Sequence, residues 1–151
     1  MHTETRQPDH STIAPPQAVV GPVRPAIENW DFDRLRRYLL REGVEDVDNK
    51  IKEYKRFMEL NARFPELRFP MSAPVDPVWH AHVLSTDDYA RFCKEAIGMF
   101  VSHRPCLDDD ELGALMPDYL RNTIGLYKQT FGESVPDAYW PEACVCKCCG
   151  N

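Results

Sequence analysis

Val47, Ile51, Tyr54 and Met58 fall at i, i+4, i+7 and i+11, with Asp48, Lys50, Lys52, Glu53 and Lys55 between them. That rhythm predicts an amphipathic helix of about five turns, closed by Pro65. Leu112, Leu115, Met116, Tyr119, Leu120, Ile124, Tyr127 and Phe131 keep the same spacing up to Gly132, with Pro117 expected to kink or restart the helix. Sustained apolar–polar alternation, the mark of a half-buried strand, occurs nowhere. The chain is therefore expected to be all-α, a compact bundle of about five helices.

Local signals mark the remaining helices. Asp31 can cap a helix that carries Phe32, Leu35, Tyr38 and Leu39 on one face and ends at Gly43. Pro77 suits the first turn of a helix over Val75 to Leu84. Ser85-Thr86-Asp87-Asp88 reads as a new start, followed by the stripe Tyr89, Phe92, Cys93, Ala96 and Ile97, and Gly98 stops it. The acidic run Asp108 to Glu111 reads as a first helical turn favoured by the helix dipole, not as a calcium loop.

Residues 1–27 hold five of the 13 prolines and show no periodicity, so they are expected to be a disordered, Pro-rich N-terminal arm. Residues 28–141 form the single helical domain. In the loop from Pro136 to Pro141, Tyr139 and Trp140 are expected to pack back onto the helices, and residues 142–151 follow as a Cys-rich C-terminal tail. With Lys+Arg 18 against Asp+Glu 24 the net charge is −6, so nucleic acid is not an expected partner. No apolar run approaches the roughly 18–20 residues of a membrane span, and no secretory signal is recognisable. A cytoplasmic location, with thiols kept reduced, is expected.

Chemistry concentrates in two places. The first is Val75-Asp-Pro-Val-Trp-His-Ala-His-Val83. At about 100° per residue, Val75, Val78, Trp79 and His82 share one face, and Asp76 and His80 form an i, i+4 pair on a flank. His80 and His82 point about 160° apart and cannot grip one ion from a regular helix. Two arrangements stay open. In one, His80 binds a metal with Asp76 beside it and His82 sits in the core. In the other, the backbone is irregular and both imidazoles bind. In that second arrangement His103 can fold back to supply a third nitrogen. Zinc is the first-choice ion, and ferrous iron accepts the same donors. Cys93 lies on an apolar stripe and reads as core; Cys106 reads as an idle thiol. The second place is Cys144-Val-Cys146-Lys-Cys148-Cys149, whose crowded thiolates suit zinc or copper(I).

Tyr54-Lys-Arg-Phe-Met-Glu-Leu60, Pro74-Val-Asp-Pro-Val-Trp-His-Ala-His-Val-Leu84 with the following Ser-Thr-Asp-Asp-Tyr89, Phe92-Cys93, Gly98, His103-Arg-Pro105 and Tyr127-Lys-Gln-Thr-Phe-Gly132 together resemble the glycine-rich domain-containing protein family. The resemblance spans about residues 45–140. It implies an all-α domain and a regulatory role in development or stress, and carries over Asp76, Trp79, His80, His82, Tyr89, Cys93 and His103 as motif positions. The short tail here, with Gly150 its sole glycine, departs from the family's glycine-rich ending.

The expected function is metal binding in a helical domain, using the histidine site (Asp76, His80, His82, His103) and the thiolate tail (Cys144, Cys146, Cys148, Cys149), in stress or metal handling, with the metal ion and a protein as partners. Two alternatives remain open. One is a metal-dependent hydrolase or oxidoreductase with an open zinc or iron site, His80 and His103 as ligands and Asp76 or Asp87 as base. The other is a helical protein-interaction domain without metal.

Overall fold

The structure, a computed structural model, describes residues 22–104, 108–132 and 134–142. Helices are the only regular elements among them: α1 (Pro25–Glu28), α2 (Asp33–Arg41), α3 (Val47–Arg63), α4 (Asp76–Leu84), α5 (Thr86–Phe92), α6 (Asp109–Asp118) and α7 (Gly125–Phe131). The all-α expectation therefore holds. Residues 1–21 and 143–151, most of the expected arm and tail, lie outside the described residues.

Helix α3 is the axis of the fold. Its apolar stripe is completed by Phe57 and Leu60, and Tyr54, Phe57, Met58 and Leu60 are wholly buried. Helices α1, α2, α4 and α7 all pack against it. The packed region begins earlier than residue 28. Ile27 is fully buried, and the Arg24 guanidinium pairs with the buried Glu59 carboxylate at 2.9 Å. Residues 22–27 thus belong to the packed body.

The local signals act largely as expected. Asp31 accepts a hydrogen bond from the Asp33 amide at 2.9 Å at the start of α2. Asp108 accepts from the Glu111 amide at 2.8 Å, so the acidic run caps α6. Gly98 and Gly132 end their helices at φ of 90° and 63°, where a Cβ is disfavoured. The Ser85 start differs in detail. Its hydroxyl donates back to the Ala81 carbonyl at 3.3 Å and leaves α5 without a side-chain cap.

Of the two outcomes expected at Pro117, the restart does not occur. The chain neither stops nor restarts but widens into a π-helical stretch, Tyr119–Ile124, which joins α6 to α7. Proline removes one amide from the ladder, and the wider i+5 pattern re-pairs the backbone just beyond it. A second π turn, Cys93–Ile97, extends α5 and closes with the Gly98 amide on the Cys93 carbonyl at 2.8 Å.

The segment after α7 is fastened down by polar contacts. The buried Glu53 carboxylate accepts from Tyr127 Oη at 2.8 Å and from Trp140 Nε1 at 2.9 Å. Ser72 Oγ donates to the Tyr139 carbonyl, and Tyr119 Oη to that of Pro141. Tyr139 Oη also reaches the Asp46 carboxylate. Trp140 is 1% exposed, so the expected return of Tyr139 and Trp140 onto the helices is what the structure shows.

Candidate functional site

Helix α4 divides its chemistry between two faces, as a helical wheel requires. Val75, Val78, Trp79 and His82 turn inward and His80 turns outward. His82 is fully buried beside Phe32, Tyr54, Tyr89 and Phe92. Its Nε2 lies 2.9 Å from Asp88 Oδ2 and its Nδ1 lies 2.7 Å from Tyr54 Oη. An ionised carboxylate only accepts, so Nε2 carries the proton and Nδ1 accepts from the tyrosine hydroxyl. Burial lowers the His82 pKa, opposed by its bond to Asp88, which fits this neutral tautomer. Both ring nitrogens are committed. The arrangement in which His82 shares an ion with His80 is therefore not the one found here.

His103 lies on the extended segment after Gly98. Tyr89 positions this segment: it accepts from Trp79 Nε1 at 3.0 Å and donates to the Val101 carbonyl. The His103 ring packs on Trp79, with centroids 4.1 Å apart. His103 Nε2 lies 3.1 Å from Asp76 Oδ1, and both side chains are nearly buried. By the same argument Nε2–H donates to the carboxylate. His80, exposed on the next turn, has its ring centroid 6.0 Å from that of His103. Asp76, His80 and His103 are thus brought together, although they are up to 27 positions apart.

The Asp76–His103 pair forms part of the wall of a cleft of about 830 Å³. Phe69, Met71, Trp79, Val101 and Leu115 form its apolar body, and Arg68, Arg104 and Glu111 contribute charge. Asp87 is exposed and does not line this cleft, whereas Asp76 does. Cys93 is buried in the core with its thiol pKa raised by burial, as its stripe position predicts. Cys106, Cys144, Cys146, Cys148 and Cys149 lie outside the described residues. Among the described residues, no three His, Cys, Asp or Glu side chains surround a common point that could hold a metal ion. None of the described helices is long and apolar enough to cross a membrane.

Periodicity did not single out Tyr54 and Asp88 as partners of His82. Tyr54 sits on an apolar stripe and Asp88 in an acidic helix start, so each has an ordinary local explanation. The cleft-lining Leu67, Met99, Phe100 and Arg104 come from irregular segments, where spacing carries no signal.

A protein-family profile described as UCP032817-like matches residues 26–111. No curated protein and no solved structure matches the chain. The resemblance to the glycine-rich domain-containing family is therefore corrected. The profile that covers the Trp-His-x-His segment is a different one, and nothing else points to the glycine-rich family. Many of the residues behind that resemblance are ones packing demands: Trp79, His82, Tyr89, Phe92 and Cys93 are all buried. With more than half its length matched, and with the α3–α4–α5 core inside the match, this chain belongs to the UCP032817-like family.

Proposed function

We propose that this domain binds a small, largely apolar molecule in the cleft and orients it with the Asp76–His103 pair. One observation carries the reading. A hydrogen-bonded imidazole and carboxylate, nearly withdrawn from solvent, stand in the wall of a cavity of about 830 Å³ that is otherwise lined mainly by apolar and aromatic side chains. Burying such a pair costs desolvation that a hydrophobic substitute avoids, and an apolar cleft with a few convergent polar groups is the usual form of a small-molecule site.

The test is a fluorescence titration of the full chain with N-phenyl-1-naphthylamine, an uncharged apolar dye. Saturable uptake is expected, and Ala114→Trp, which fills the cleft from α6, should abolish it. No uptake by the folded wild-type chain, or equal uptake by Ala114→Trp, would overturn the reading.

A second reading, metal binding, has one observation in its favour. Two imidazoles on one zinc ion place their ring centroids about 5 Å apart, close to the 6.0 Å between His80 and His103, with the Asp76 carboxylate alongside. Zinc is the first ion to try, then ferrous iron; copper(I) suits the thiols beyond Glu142 better. Elemental analysis under reducing conditions would compare wild type, His80→Ala and a chain ending at Glu142. Metal lost only with the tail would move the site there, and metal absent from all three would remove this reading.

A further inference from the structure

We infer that the ligand of the cleft is an amphipathic monocarboxylic acid, its apolar part against Trp79, Phe69 and Met71 and its carboxylate on the Arg104 guanidinium. This rests on the ligand-binding reading and specifies its chemistry.

The apolar lining does not stop at the cleft interior. Leu67, Met99 and Phe100 also line the cleft and are 42%, 37% and 61% exposed. The other large exposed apolar side chains among the described residues, Tyr38, Leu40, Leu84 and Leu120, do not line it. Apolar surface held open to water around a cavity mouth marks a binding site more often than chance exposure does.

The charges narrow the class. Arg68 pairs with Asp118 at 2.8 Å and also donates to the Ala114 carbonyl. Asp76 is bonded to His103, and Glu111, at the start of α6, has interactions of its own. Arg104 has no carboxylate or hydrogen-bond partner among the described residues. A guanidinium that no carboxylate among the described residues pairs with, beside an apolar cavity, suits a carboxylate, which it can hold through two parallel hydrogen bonds. Asp76 and Glu111 on the same walls disfavour a second negative charge, so a single acid fits better than a diacid or a phosphate.

The experiment displaces N-phenyl-1-naphthylamine from the full chain with decanoate and, separately, with decanol, each below its aggregation limit. Decanoate should displace the dye at about tenfold lower concentration, the factor expected for one charge-assisted interaction. Arg104→Gln, confirmed as folded by circular dichroism, should erase that preference, and Arg104→Lys should keep part of it. If the dye binds but decanol competes as well as decanoate, the acid class is wrong and the cleft reading stands. A preference that survives in Arg104→Gln would likewise overturn the assignment to Arg104. If the wild-type chain takes up no dye, the ligand-binding reading itself fails and the class falls with it.

Discussion

His82 and His103 have the same side chain and occupy opposite kinds of place. His82 is sealed among aromatic rings with Tyr54 on one nitrogen and Asp88 on the other. His103 is bonded to one carboxylate and stands in the wall of an open cleft. The first holds elements together, because its partners come from α3 and α5 while the ring itself belongs to α4. The second places a polar pair where a ligand can reach it. What separates them is the direction each ring faces, set by helical phase for His82 and by the Tyr89-pinned segment for His103.

The sharpest way to break this contrast is His82→Ala. It should cost about 3 kcal/mol, from the cavity and from leaving the Tyr54 hydroxyl without its acceptor. Urea denaturation reads it, and a loss below about 1 kcal/mol would mean that His82 is not structural.

His103→Gln keeps a donor for Asp76 and should cost only about 1 kcal/mol in the same measurement. It should also change dye affinity in the cleft, which His82→Gln should not. The contrast fails if the two variants behave alike.

Acid sharpens the comparison further. Burial, opposed by the bond to Asp88, places the His82 pKa below its ordinary 6.5, so the unfolded chain takes up this proton first. Stability is therefore fully present above pH 6.5 and is lost as pH falls from there through the folded-state value. Burial pushes the Asp88 pKa up, but bonds from Arg91, His82 and Trp30 outweigh it and hold the carboxylate below its ordinary 3.8. That contribution disappears only in stronger acid. Between pH 7 and 5 the denaturation midpoint of the wild type should fall more steeply than that of His82→Gln; parallel curves would show that another group is responsible.

The smallest effect belongs to His80→Ala. An exposed side chain on α4 should change stability by no more than about 0.5 kcal/mol. A larger loss would place His80 in the packing, and a loss of zinc affinity with no loss of stability would support the metal reading.

Much of the fold was legible because helices advertise themselves at short range. The stripes of α3 and of α6 with α7, and the Gly98 and Gly132 stops, all depend on residues within a few positions of one another. The inward face of α4 was legible for the same reason, since a 100° step places Val78, Trp79 and His82 together. Partnership was harder. Tyr54 and His82 are 28 positions apart, and Glu53 and Trp140 are 87 apart. No local rule pairs them. The cleft was the least legible part, because Leu67, Met99, Phe100 and Arg104 sit on segments whose course is set by tertiary packing and not by period.

The π-helical stretch Tyr119–Ile124 has a consequence for how the two halves of this long rod work together. Upstream, Ala114 and Leu115 face the cleft; downstream, Tyr127 reaches Glu53 in the core. Each residue of a plain helix advances by about 100°, and the widened turn keeps the clock angle between those two faces. The wide turn takes up one extra residue without rotating its neighbours, so deleting a single residue there would return the rod to a plain helix that still seats its tyrosine and still walls the cavity, whereas a deletion outside it would swing one face away from its partner.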